Sequence, residues 1–217
     1  TNENYLMFGQ MSGDHETDRK NTATLLALFC DVFKEDANVG LIIKTNSGGN
    51  SSVDRFVTKK KLENVLEQVR HGPFPKVYFL HGYLNEKEVS SLYKHSKVKG
   101  LISLTHGEGF GLPLLEAAAC GLPVCATNWS AHTEFLNLGE WTKIRGRIEP
   151  IPESKVDGNI FVQGAQWANP DIPIARKTIE TFVKEEKPDA EFLKKQLLKR
   201  YSFAAISEKY DSFWKRW

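Results

Sequence analysis

Two carboxylates, Glu108 and Glu116, frame a glycine-rich run, Gly107-Glu108-Gly109-Phe110-Gly111-Leu112-Pro113, that follows the apolar stretch 101–104 and Thr105-His106. The pattern predicts the end of a buried strand, a tight loop and a short helix. Pro113 suits the first helical position, where its missing N–H has no intrahelical partner to lose. Gly121, with Pro123 behind it, suits the residue just past the helix end. The unpaired N–H groups of the loop and first turn then converge on a point that the helix dipole makes electropositive, which suits an anion. Glu116 lies about 4.5 Å further along the helix axis than Pro113, at ~1.5 Å rise per residue. Amides that grip phosphates, with an acid on each side to accept hydrogen bonds from hydroxyls, suit a sugar nucleotide.

Plainer readings compete. Gly107-x-Gly109 could open a dinucleotide-binding fingerprint, but its third glycine would fall at Leu112, and the strand 124–127 runs into Asn128 rather than an acid. Glu116 taken alone could be a first-turn acid favoured by the helix dipole. Its spacing from Glu108 argues for more.

The stretch 108–116, with its GFGLP core, its LEA helix segment and the Gly121-Leu122-Pro123-Val124 that follows, resembles the Glu-x7-Glu motif of retaining glycosyltransferases of family 4, group 1, which have the two-domain GT-B fold. The resemblance implies that Glu108 contacts the transferred sugar and Glu116 the ribose hydroxyls. The amides of Gly109, Phe110, Gly111 and Leu112 would meet sugar and phosphate. A diphosphate-binding lysine of the family maps onto Lys20-Asn21. The family's arginine after the glycine of the first strand is Gln10 here, a departure for which Arg19 would compensate. His81, Gly82 and Tyr83 would lie beside the base, and a core-edge histidine remains an equal reading for His81.

The reaction so implied is transfer from a UDP-, GDP- or ADP-sugar with retention at the anomeric carbon. Glu108 and Lys20 would be its catalytic residues, and no cofactor or metal is expected beyond the donor. In that family the first strand opens the second half of the enzyme. The expectation is therefore a donor-binding half, with residues 1–200 as a Rossmann-like domain and residues 201–217 as a helix crossing to an N-terminal acceptor domain outside this chain. Alone, the chain is expected to show little or no transfer. A non-catalytic sugar-nucleotide-binding module and an epimerase or phosphorylase share the architecture. Intact Glu108 and Lys20 argue against the module, and no pyridoxal-binding lysine context is recognisable for a phosphorylase.

The elements that must position these residues alternate. An apolar strand at 5–9 leads through a polar loop, 10–18, into a helix over 19–33 with Leu25, Phe29, Val32 and Phe33 on one stripe. Arg19 and Lys20 fall in its first turn, where cations are unfavourable unless an anion offsets the dipole; a solvated pair is the plainer reading. A strand at 39–45 ends at Lys44, either a rim residue or a site lining. The helix 53–69 carries Lys59-Lys60-Lys61, which reads as a solvated face, with no interleaved aromatics for nucleic acid. After the strand 76–80, Asn85 caps a helix with Glu88 three residues on. The strand 124–127 leads to Asn128–Glu134, where Ser130 is the expected N-cap. Residues 142–150 read as an outer strand or hairpin arm, and 151–164 as irregular. Helices follow at 172–185, 190–200 and 203–217, the last with Phe203, Ile206, Tyr210, Phe213, Trp214 and Trp217 on one stripe. The fold class expected is α/β: a doubly wound, mostly parallel Rossmann-like sheet with additional C-terminal helices, and ligands beyond the carboxyl ends of its strands.

Composition bounds the remainder. At 217 residues and 41% hydrophobic content the chain can bury one or two cores. A net charge of +2 gives no bulk field for nucleic acid. Cys30, Cys120 and Cys125 sit in apolar segments and read as small buried hydrophobes in a reducing, cytoplasmic setting. The six histidines show no metal-ligand spacing, and no Asp-x-Asp occurs. The aromatic, basic C-terminal end suits interdomain packing first, with peripheral membrane contact as the alternative.

Overall fold

The computed structural model describes residues 1–10, 18–46, 48–185 and 187–215. Strands β1 (Glu3–Phe8), β2 (Val39–Thr45), β3 (Lys76–His81), β4 (Val98–Ser103), β5 (Val124–Thr127) and β6 (Thr142–Ile144) form one sheet in the order β3-β2-β1-β4-β5-β6. Every neighbouring pair is parallel. Parallel strands need crossovers, and helices supply them: α1 (Thr22–Val32), α2 (Ser52–Val69), α3 (Glu86–Lys94), α4 (Leu112–Ala119) and α5 (His132–Leu136). The order reverses beside β1, so the mouth between the ends of β1 and β4 is the natural ligand crevice. This is the α/β arrangement of a Rossmann-like domain.

Strand periodicity divides the core. Tyr5, Met7, Ile102 and Cys125 face one side, where Leu25, Leu26 and Phe29 of α1 and Ile179 and Phe182 of α6 (Ile172–Lys184) cover them. Leu6, Leu101, Val124 and Ala126 face the other, under α3, α4, α5 and α7 (Ala190–Tyr201). Each fully buried Leu, Ile, Met, Val or Phe among them contributes about 1.5–3 kcal/mol. Cys30 and Cys125 are buried free thiols, and Cys120 is half-buried. β7 (Gly146–Pro150) and β8 (Gln166–Pro170) make a separate antiparallel pair, so residues 142–150 supply both a sheet strand and a hairpin arm.

Two local expectations change. α1 begins at Thr22, so Arg19 and Lys20 precede the helix instead of occupying its first turn. Asp18 causes this: its side chain accepts from the Lys20 and Thr22 amides at 3.1 and 3.0 Å, and its carbonyl accepts from the Asn21 amide at 2.7 Å. The turn leaves Asn21 left-handed at φ 52°, which ends any helical run behind it. In α4, Gly111 is the N-cap and Leu112 the first helical residue, which puts Pro113 second. Its far end matches expectation. Gly121 takes φ 80° and donates to the Ala118 carbonyl, while Leu122 donates to that of Ala117. On α8 (Phe203–Trp214) the aromatic stripe is uncovered among the described residues: Phe203 is 90% exposed, and Tyr210, Phe213 and Trp214 are also exposed. Trp217 and loop residues 11–17 lie outside the described residues.

Candidate functional site

The glycine loop bends at Gly111, whose φ of 90° suits glycine and whose added Cβ would stand 3.0 Å from the His132 Cβ. The Gly111 carbonyl accepts from the Leu114 and Leu115 amides. The N–H groups of Gly109, Phe110, Gly111 and Leu112 have no hydrogen-bond partner among the described residues. Four donors without a partner among the described residues therefore sit at the mouth of α4. Phe110 and Leu112 expose their side chains there. Below the loop, Ser130 Oγ accepts from the Glu108 amide at 2.9 Å and donates to the Glu108 carbonyl at 2.6 Å. This corrects the expectation for Ser130. Ala131 is the N-cap of α5, and Ser130, left-handed at φ 84°, staples the loop instead.

The loop acid meets both cations of the β1–α1 connection. Lys20 Nζ donates to Glu108 Oε1 at 2.7 Å, and Arg19 Nη1 donates to Glu108 Oε2 at 3.0 Å and to the Gly107 carbonyl at 2.5 Å. Only 7% of the Glu108 side chain is exposed. Burial pushes its carboxyl pKa up, but the Lys20 and Arg19 charges and hydrogen bonds outweigh that and hold it below the usual value. The acid is an anion with lone pairs left to accept hydroxyls.

Lys20 also lines a cavity of about 290 Å³ with Gln10, Lys44, Tyr83, Pro113 and Glu116. Glu116 Oε2 accepts from Tyr93 Oη at 3.0 Å. Burial, and Glu116 beside it, push the Tyr93 phenol pKa up, so it stays a donor. Past Glu116 the cavity adjoins a more apolar cleft of about 670 Å³ bounded by Tyr83, Leu84, Val89 and Tyr93. Lys44, undecided from sequence, is 4% exposed and lines the site. Its ammonium donates to the Asn46 side chain and, at 2.5 Å, to the Gly82 carbonyl. Burial lowers its pKa, and no carboxylate pairs with it among the described residues.

The base-side candidates separate. Tyr83 is 69% exposed and faces the cavity. Gly82, left-handed at φ 102°, supports Lys44 from behind. His81 is the last residue of β3, half-buried, and is not among the described lining residues.

His132 was not singled out in the sequence. It is fully buried beneath the loop, with Nε2 donating to the Thr127 carbonyl at 2.7 Å. Burial lowers its pKa, against a smaller upward pull from Glu108, so it is a neutral imidazole. Its signal lay only in tertiary proximity to Gly111.

Residues 19–154, more than half of the chain, match the family model described as glycosyl transferases group 1. The serotype-specific mannosyltransferase WbdA of Escherichia coli is 30% identical over 139 residues, which cover 63% of this chain and 15% of that protein. A sucrose-phosphate synthase of Zea mays is 35% identical over 129 residues, 55% of this chain and 11% of the synthase. The chain thus spans a small fraction of the curated relatives it matches. Among solved structures, the sucrose-phosphate synthase from Thermosynechococcus elongatus superposes with a TM-score of 0.64 at 15% identity, covering 99% of this chain and 45% of that one. The C-terminal domain of the group 1 glycosyl transferase LpcC from Francisella tularensis gives 0.55 at 18% identity, covering 96% and 86%. Anabaena HepE, solved in complex with UDP and glucose, gives 0.61 at 14% identity, covering 100% and 49%. These likenesses show the fold, that of a GT-B C-terminal domain. By the extent and position of the family match, the chain belongs to the glycosyl transferases of group 1.

Proposed function

We propose that this chain binds a nucleoside-diphosphate sugar and supplies the donor half of a glycosyl transfer that retains configuration at the anomeric carbon. The observation that carries the proposal is the placement of Lys20, bonded to Glu108 and lining the cavity that holds Glu116, beside four free amides at the mouth of α4. The diphosphate lies on those amides, and the ribose reaches Glu116. Glu108 takes the hydroxyls of the transferred sugar. As the glycosidic bond breaks, charge builds on the leaving diphosphate, and Lys20, Arg19 and the loop N–H groups stabilise it. An acceptor hydroxyl then attacks from the leaving-group face, its proton passing to the departing phosphate oxygen. The acceptor would be held in part by a separate domain, against which the exposed aromatics of α8 would pack.

Calorimetric titration with UDP-, GDP- and ADP-sugars tests this reading. Glu116→Ala is expected to weaken every nucleotide, with or without its sugar. Glu108→Ala is expected to erase the difference between a sugar nucleotide and the bare diphosphate. Binding that neither variant alters would defeat the assignment.

A further inference from the structure

Beside the β7–β8 hairpin lies a cavity of about 420 Å³ that the donor reading leaves unused. Its walls include Asn21 and Thr24 at the start of α1, His106 after β4, and Glu149, Trp167 and Asn169 of the hairpin. The Trp167 ring stacks on the His106 imidazole at 4.2 Å and 16°, which fixes that ring. His106 Nδ1 donates to the Ala168 carbonyl at 2.8 Å, so Nε2 carries a lone pair. His106 is 5% exposed, and its Nε2 is buried with no hydrogen-bond partner. Glu149 Oε2 accepts from the Asn169 side chain, and Arg147 Nε lies 3.9 Å from Glu149 Oε1.

The lining mixes acceptors and donors: the Glu149 carboxylate, the Asn21 and Asn169 amides and the Thr24 hydroxyl. No Lys or Arg is among the described lining residues, and burial lowers the His106 pKa, so an anion finds nothing to neutralise it. Glu149 is the single acid among the described lining residues, already bonded to Asn169, and one carboxylate does not make a cation site. A neutral ligand rich in hydroxyls fits, since each hydroxyl can donate to Glu149 or to an amide oxygen and accept from an amide N–H or the Thr24 hydroxyl. Asn21 adjoins Lys20 in the chain, and His106 precedes Glu108 by two residues, so the cavity is walled by the same two connections that carry the pair assigned to the breaking bond. We propose that this cavity holds a neutral sugar unit of the acceptor. The word acceptor rests on the transferase reading; the binding of a sugar does not.

The test uses the 217-residue chain, labelled with nitrogen-15 and first titrated with UDP, then with methyl α-D-mannopyranoside. UDP is expected to shift the amides of Gly109, Gly111 and Leu112. The glycoside is expected to shift those of Ala168 and Asn169 saturably. Glu149→Gln and Asn169→Ala should each raise its apparent Kd roughly fivefold or more, with the UDP response unchanged. A glycoside that moves only the glycine-loop amides, or no amide saturably, overturns the proposal, as does inorganic phosphate taking its place at the hairpin. Loop shifts with UDP but none at the hairpin leave the donor reading standing and sink this one. Hairpin shifts without a UDP response do the reverse.

Discussion

Lys20 Nζ lies 2.7 Å from Glu108 Oε1, so the cation assigned to the diphosphate and the acid assigned to the sugar are bonded to each other. Arg19 completes the clamp from the other carboxylate oxygen at 3.0 Å. A phosphate that approaches Lys20 therefore competes with Glu108 for it. Glu108→Gln should release both cations and tighten UDP itself about three- to tenfold, the scale of one charge-assisted hydrogen bond. The same substitution should remove most of the extra affinity of a UDP-sugar over UDP. Calorimetry with the two ligands measures both, and an unchanged UDP affinity would show that the cations do not serve the phosphate.

The clamp also sets a pH dependence. The folded Glu108 carboxyl has a lowered pKa, with the paired cations outweighing burial. The folded state therefore binds fewer protons than the unfolded chain, and the stabilisation is fully present above the unfolded value of about 4.3. It is lost as pH falls through the lower, folded value. Urea unfolding from pH 7 downward should show wild type losing its stability advantage over Glu108→Gln across that acidic window. A constant difference would contradict the pairing.

Neighbouring glycines of the loop should respond differently. Gly111→Ala forces a side chain onto φ 90° and sets its Cβ 3.0 Å from the His132 Cβ, at a cost of about 1–2 kcal/mol and with loss of the amide geometry. Around Gly109 nothing lies within 4 Å of an added Cβ, so Gly109→Ala should stay within about 0.5 kcal/mol of wild type. Urea midpoints at constant slope separate the two.

Lys44→Met removes a buried ammonium whose acceptors are amide oxygens alone. Stability should hold within about 1 kcal/mol, since burying an unpaired charge is itself unfavourable. Nucleotide affinity should fall severalfold, because Lys20 is engaged by Glu108 while Lys44 pairs with no carboxylate among the described residues. Equal affinity in a well-folded Lys44→Met protein would remove Lys44 from the site.

Alternating strands and helices, the parallel sheet and the free amides before α4 were legible because each rests on local pattern: apolar runs, capping residues and glycine spacing. Asn85 even forms its capping box with Glu88. The start of α1 was misplaced because Asp18, three residues before Asn21, competes for the same amides through a turn. Ser130 read as a cap because its type fits one, while its real partner, Glu108, is 22 residues away. The Lys20–Glu108 bond spans 88 residues and leaves no spacing signal. His106 and His132 were invisible as site elements, since a lone histidine in an apolar stretch shows nothing of what stacks on it or lies above it.

The hairpin does more than flank the glycine loop. Ala168 donates its amide to the His106 carbonyl and receives the His106 ring, while the His106 amide donates to the Arg19 carbonyl. Three distant pieces of chain are thereby laced through one residue. The family match ends at residue 154, short of Ala168. A fragment trimmed to that boundary would keep every acid and cation of the motif, yet lose the brace that Ala168 sets against both the backbone and the ring of His106.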